Sequence, residues 1–237
     1  MKGELVNMEK YYEMGICDRC KGIGTGCTEK EEDRCESCHS GKVLIDKAKG
    51  LSVEKIGEKG IYEALYGLGL NHSLTSNISF LDFVENKELI SKTKNIALNL
   101  SNKDGGHNKF LEHIILWYNI TAPLYFWTQF DTYRIGISKQ SESTMHTILK
   151  KELTEKDFID YDIDKYLLNK LNDLIKEGNK REVKKLLPCS FLQKREVVLN
   201  YKTLRNIIKQ RANHALLEWK IVADRLVKSV EYQSFLI

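Results

Sequence analysis

Five of the six cysteines fall between positions 17 and 38, and no other feature of the 237 residues restricts local folding as tightly. They include two Cys-x-x-Cys pairs, Cys17-Asp-Arg-Cys20 and Cys35-Glu-Ser-Cys38, with fourteen residues between them. Small residues follow each pair and let backbone amides turn toward the sulfurs, as a tetrahedral tetra-thiolate site requires. The spacing predicts one structural zinc on Cys17, Cys20, Cys35 and Cys38, with Cys27 and His39 as reserve ligands. Such a site is closed and offers no open position for chemistry. Residues 1–47 are read as this zinc segment and residues 48–237 as a second domain. Cys189 stands alone and is expected to be an inert buried thiol.

A disulfide framework suits a short secreted domain, whereas clustered Cys-x-x-Cys pairs suit metal in a reducing compartment. The opening Met1-Lys-Gly-Glu-Leu has no apolar signal core, and no apolar run approaches the roughly 20 residues of a membrane helix. A cytoplasmic protein with no membrane partner is expected. Thirty-seven Lys and Arg against thirty-three Asp and Glu leave a formal charge of +4, too little to argue for nucleic acid, though it does not exclude it.

From residue 48 onward helices outnumber strands in a mixed order, an α/β (mixed α+β) class. Residues 49–56 read as a strand ended by Gly57, and residues 58–68 as a helix closing at Gly69. A loop over 71–79 precedes a helix over 87–100. Residues 113–121 are dense in β-branched and aromatic types and predict a buried strand, which makes His113 a core histidine. Pro123 is expected just inside a helix running to residue 133. The polar run 138–143 reads as a loop. Further helices are expected over 164–176, 180–186, 201–209 and 214–231, with a strand over 196–199.

Two stretches carry a resemblance. The first is Gly106-His107-Asn-Lys-Phe-Leu-Glu112-His113, continuing through Ala122-Pro123 to Gln129 and Arg134. The second is Leu187-Pro188, then Asn200 twelve residues past the proline, then Arg211 eleven further on. Together they resemble the flavin-dependent thymidylate synthases, whose pattern runs Gly-His-x4-Glu-His, a strand, Ala-Pro, Gln and an Arg-His-Arg signature. In that signature Arg134 matches the last arginine, while Thr132 and Tyr133 stand in place of the first arginine and the histidine. With one inserted residue, Ser138 and Ser143 match its two serines and Gln140 its asparagine. Met145 and His146 replace a later Arg-Tyr pair, an ending similar to a divergent, often phage-encoded branch.

The resemblance implies reductive methylation of dUMP, or a related pyrimidine deoxynucleotide, by a homotetramer using FAD, NADPH and methylenetetrahydrofolate. It implies catalytic roles for Arg134 and Ser143, with Arg134 stabilising charge on the flavin or pyrimidine. His107, Gln140, Asn200 and Asn206, with Arg134, would bind cofactor. Gln129, Ser143, His146 and Arg211 would bind substrate, with Arg211 on the dianionic phosphate. Covalent serine catalysis is disfavoured, since only His146 is near in sequence as a base. Two alternatives stay open: a pyrimidine-nucleotide modifying or binding protein of the same fold without thymidylate synthesis, and a zinc-ribbon adaptor for protein or nucleic acid.

Overall fold

The structure is a computed structural model that describes residues 48–236 apart from residues 104 and 212. The zinc ligands expected at Cys17, Cys20, Cys35 and Cys38 lie outside the described residues. Two compact units emerge. One contains residues 48–51 and 148–192, the other residues 52–147 and 193–236.

The larger unit is built on a four-stranded sheet in the order β1-β2-β4-β3, with β1 Ser52–Lys59, β2 Ile115–Pro123, β3 Ile137–Ser141 and β4 Leu192–Asn200. β1 runs antiparallel to β2 and β3 antiparallel to β4. Alternation along β2 sends Leu116, Tyr118, Ile120 and Ala122 fully into the core, while Trp117 and Asn119 between them are half-buried. This is the period-two pattern of a strand packed on one side. Helices α1 (Ile61–Leu70), α2 (Phe80–Glu85), α3 (Lys87–Ser101), α4 (Leu124–Phe130), the single turn α5 (Thr144–Thr147), α8 (Tyr201–Arg211) and α9 (Leu217–Ser229) complete the unit.

Local chemistry starts these helices. Ser79 Oγ accepts from the Asp82 amide at the start of α2, and Asn86 Oδ1 from the Leu89 amide at the start of α3. Each satisfies one of the donors that a helix N-terminus leaves open. α1 begins at Gly60, whose φ of 96° is left-handed and where a Cβ would meet the His113 carbonyl oxygen at 2.2 Å. Only glycine fits both demands.

The smaller unit holds α6 (Lys165–Lys176) and α7 (Lys180–Leu186), capped by the side chains of Asp164 and Asn179. Its core gathers Ile148, Leu153, Phe158, Leu171, Ile175 and Val183. The Asn172 side chain accepts from the Leu153 amide at 2.8 Å and donates to the Leu153 carbonyl at 3.0 Å, which ties α6 to the segment before it.

Several expectations needed correction. β1 begins later than expected and runs through Gly57, because a bulge between Lys55 and Gly57 absorbs one residue and leaves Ile56 53% exposed. The loop expected up to residue 79 leads directly into α2, a helix no pattern announced. Pro123 is not the first helical residue; at φ −69°, ψ 156° it ends β2 and serves as the N-cap of α4, which stops at Phe130. His113 closes a short 3₁₀ turn, Lys109–His113, and is exposed rather than core. The run 138–143 is not all loop, since residues 137–141 pair with β4 as an edge strand. β4 itself extends well beyond the strand expected there, starting at Leu192. Cys189 is exposed, not buried. Among the described residues no helix is long and apolar enough to cross a membrane.

Candidate functional site

α4 carries Phe126, Trp127 and Phe130 into the core, and Trp127 Nε1 is shared between the carbonyls of Ala122 (3.1 Å) and Gln193 (3.0 Å). That bond fixes where the chain leaves α4. The next residue, Asp131, is gripped by Arg195 Nη1 at 2.9 and 3.0 Å and by Lys139 Nζ at 3.0 Å. Burial alone would raise the Asp131 carboxyl, but hydrogen bonds and charge from Lys139 and Arg195 outweigh it, so it sits below its ordinary value. Lys139 Nζ also donates to the carbonyls of Phe130 and Tyr133, closing the C-terminal end of α4. Arg195 lies over the Trp127 ring at 4.5 Å. Both cations are therefore engaged internally.

The turn leading to β3 is anchored on the far side by α8. Asn200 Oδ1 accepts from the Thr203 amide at 2.8 Å, and Thr203 Oγ1 donates to the Ile135 carbonyl at 2.8 Å. The Asn200 amide donates to the Gly136 carbonyl at 3.1 Å. Gly136 has φ +65°, and a Cβ there would lie 2.5 Å from Asn200 Nδ2. Asn200 thus starts α8 and pins the turn that carries Arg134.

At the other end of α8 stands Arg211. Its Nε donates to the Tyr133 hydroxyl at 3.0 Å, and its guanidinium lies 4.7 Å from the Trp219 ring centre. Trp219 is fully buried, stacks on Phe130 (5.6 Å between centres, 5° between planes), and donates Nε1 to Gln129 Oε1 at 2.8 Å. Among the described residues no carboxylate pairs with Arg211. His214 nearby has its pKa lowered, first by burial and then by the charges of Arg211 and Lys220. Its neutral Nδ1 accepts from the Leu216 amide. Among the described residues the two terminal nitrogens of Arg211 have no hydrogen-bond partner, and a guanidinium held on one face and at Nε can receive an oxyanion there.

Of the residues singled out from the sequence, Gln129 and Arg211 converge on Trp219, and Asn200 braces the turn beside Arg134. Arg134 itself is exposed and has no partner among the described residues. Gln140 is exposed on β3, His107 in the turn before the 3₁₀ segment, and Asn206 on the outer side of α8. Ser143 is half-buried at the start of α5, where its carbonyl accepts from the amides of His146 and Thr147, and His146 is exposed. No described contact joins Ser143, His146, His107, Gln140 or Asn206 to Arg211. Tyr133, Trp219 and Gln210 had no motif to announce them; at most, an aromatic residue in place of the signature histidine was the signal for Tyr133.

A four-stranded sheet braced by helices, with an arginine at the end of one of them that no carboxylate opposes among the described residues, defines an α/β protein. Residues 72–233 match the family of the thymidylate synthase complementing protein, and the chain belongs to that family. No curated protein matches it in sequence. Among solved structures it is similar to thymidylate synthase X (ThyX) from Helicobacter pylori with FAD and dUMP. The TM-score is 0.64 at 18% identity, over 78% of this chain and 97% of that one. It is also similar to a UMP/dUMP methylase, PolB, from Streptomyces cacaoi bound with 5-Br dUMP. There the TM-score is 0.56 at 14% identity, over 76% of this chain and 89% of that one. At such identities the likeness is one of fold.

Proposed function

We propose that this protein is a flavin-dependent methyltransferase acting on the uracil ring of dUMP or a related pyrimidine nucleotide, with Arg211 receiving the 5′-phosphate. The observation that carries this reading is the Arg211 guanidinium, oriented by Tyr133 and Trp219 and unopposed by any acid among the described residues. Membership of the family and the bound dUMP of the ThyX structure support it.

The donor set also suits a flavin. Arg134, Gln140 and Asn206 expose a cation and amides, groups that fit phosphate oxygens and polar ring edges. When bound, reduced flavin supplies the hydride and folate the one-carbon unit. Arg134 then serves to stabilise negative charge that develops on the pyrimidine carbonyl. Thr132 and Tyr133 cannot bind as the signature arginine and histidine do. Thr132 Oγ1 donates to the Gln129 carbonyl, and the Tyr133 hydroxyl is committed to Arg211 and Gln210. That change favours a second reading, a nucleotide methylase of altered base or sugar specificity, as in the UMP/dUMP methylase of similar fold.

A homotetramer, a structural zinc on Cys17, Cys20, Cys35 and Cys38, and a cytoplasmic location belong to the same proposal. Calorimetric titration with dUMP and with FAD tests it. Arg211→Ala should weaken dUMP by about 2–4 kcal/mol, roughly thirtyfold to a thousandfold, and Arg211→Lys should recover only part. Arg134→Ala should weaken FAD more than Arg211→Ala does. Wild-type protein that binds neither ligand would overturn the reading.

A further inference from the structure

We propose that Tyr133 is a positioning residue that fixes which edge of Arg211 meets the phosphate; this rests on the reading of Arg211 as the phosphate receptor.

A free guanidinium offers two ways to bind an oxyanion in a bidentate fashion, side-on through Nε and one Nη, or end-on through both Nη atoms. Here the side-on mode is closed. Nε already donates to the Tyr133 oxygen at 3.0 Å, and the Tyr133 ring lies beside the guanidinium at 5.6 Å. The hydroxyl's orientation follows from which groups can donate. Arg211 can only donate, so the Tyr133 proton must point elsewhere, and it does, to Gln210 Oε1 at 2.9 Å. Gln210 therefore keeps the tyrosine lone pairs turned toward Nε. On the flat face, Trp219 lies at 4.7 Å and is itself held by Gln129. With Nε and one face occupied, the two terminal nitrogens form the remaining binding edge, and the anion arrives end-on.

Tyr133 occupies the place of the signature's histidine, so the residue that is lost to direct ligand binding has become a brace for the arginine. The hydroxyl also removes conformational freedom from a long side chain before the ligand arrives, which lowers the ordering cost of binding. One neutral hydrogen bond is involved, so its removal should cost about three- to tenfold in affinity. The loss should depend on the phosphate and vanish when there is no guanidinium to orient.

The test is titration of wild type, Tyr133→Phe, Tyr133→His, Gln210→Ala, Arg211→Ala and the Tyr133→Phe/Arg211→Ala double variant with dUMP, deoxyuridine and inorganic phosphate. Tyr133→Phe should weaken dUMP and phosphate, spare deoxyuridine, and add nothing in the Arg211→Ala background. Tyr133→His, which restores an acceptor, should recover part of the loss. Gln210→Ala is an exposed change that leaves the core intact. It should show the same phosphate-selective loss at smaller size, about twofold, even if Tyr133→Phe folds poorly. Unchanged dUMP affinity in Tyr133→Phe and Gln210→Ala, equal weakening of deoxyuridine, or full additivity with Arg211→Ala would overturn the inference while the nucleotide reading stands. Tyr133-dependent phosphate binding without any dUMP binding would overturn the nucleotide reading and leave the inference intact. Wild type that binds neither dUMP nor phosphate would overturn both.

Discussion

Replacing Gly136 by alanine should destabilise the larger unit by roughly 2–4 kcal/mol, and the structure separates the reasons. Gly136 sits at φ +65°, a left-handed conformation that costs an L-residue about 1–2 kcal/mol. The added methyl would also lie 2.5 Å from Asn200 Nδ2 and 2.6 Å from Thr203 Oγ1. Neither neighbour is the loose end of a flexible chain. Asn200 is bonded to the Thr203 amide at the start of α8, and Thr203 is bonded to the Ile135 carbonyl. Moving them weakens a helix cap and a partly buried hydrogen bond, each about 1 kcal/mol. Gly105→Ala is the control, because Gly105 has φ +76° but nothing within 4 Å of an added Cβ. It should lose only the conformational part. Urea unfolding of the three proteins measures the difference, with the midpoint falling further for Gly136→Ala at constant slope. Equal midpoints for the two variants would refute the argument that α8 is packed against this turn.

Three further outcomes are expected. Asp131 is held below its ordinary value, so its stabilising contribution is present above the unfolded value of about 3.9 and is lost as pH falls through the lower folded one. Asp131→Asn should therefore be less stable than wild type at neutral pH, by about 1 kcal/mol or less because the group is half-exposed, and the two should converge in acid unfolding as pH falls through the lowered folded value. Tyr118 behaves in the opposite sense: burial, offset in part by its hydrogen bond to Ser229, pushes its phenol up to about 12. Its contribution is complete below the unfolded value of about 10 and is lost as pH rises toward 12, so Tyr118→Phe should flatten alkaline unfolding in that window, followed by tyrosinate absorbance. Finally, purified protein should carry about one zinc per chain by elemental analysis, and Cys17→Ser or Cys38→Ser should abolish it; metal-free wild type would refute the tetra-thiolate assignment.

How much of this was legible beforehand depends on the range of the interaction involved. The helices over 164–176, 180–186 and 201–209 follow from local periodicity and caps, and the structure has them nearly as expected. The same is true of the strand that carries Leu116, Tyr118 and Ile120, because its run of β-branched and aromatic residues is a local property of consecutive residues. The family was also legible, since motif order and spacing need no coordinates. The strand at 137–141 was not. Ile137 is its one apolar residue, and only pairing with a distant segment makes Ser138, Lys139 and Gln140 extended rather than looped.

The candidate site divides the same way. The sequence by itself determined that an arginine stands at 211, that Tyr133 replaces a histidine, and that Gln129 precedes both. Only the tertiary structure decided that Tyr133 and Trp219 hold Arg211, while Asp131 consumes Lys139 and Arg195. By contrast, Asn200 Oδ1 caps α8 by a bond that spans only three residues. The reason is physical. A side chain's chemistry is set by its residue type, but whether its charge or hydrogen bonds remain available depends on which groups the fold brings within about 3–4 Å, and Arg195 reaches Asp131 across 64 residues and Arg211 reaches Tyr133 across 78.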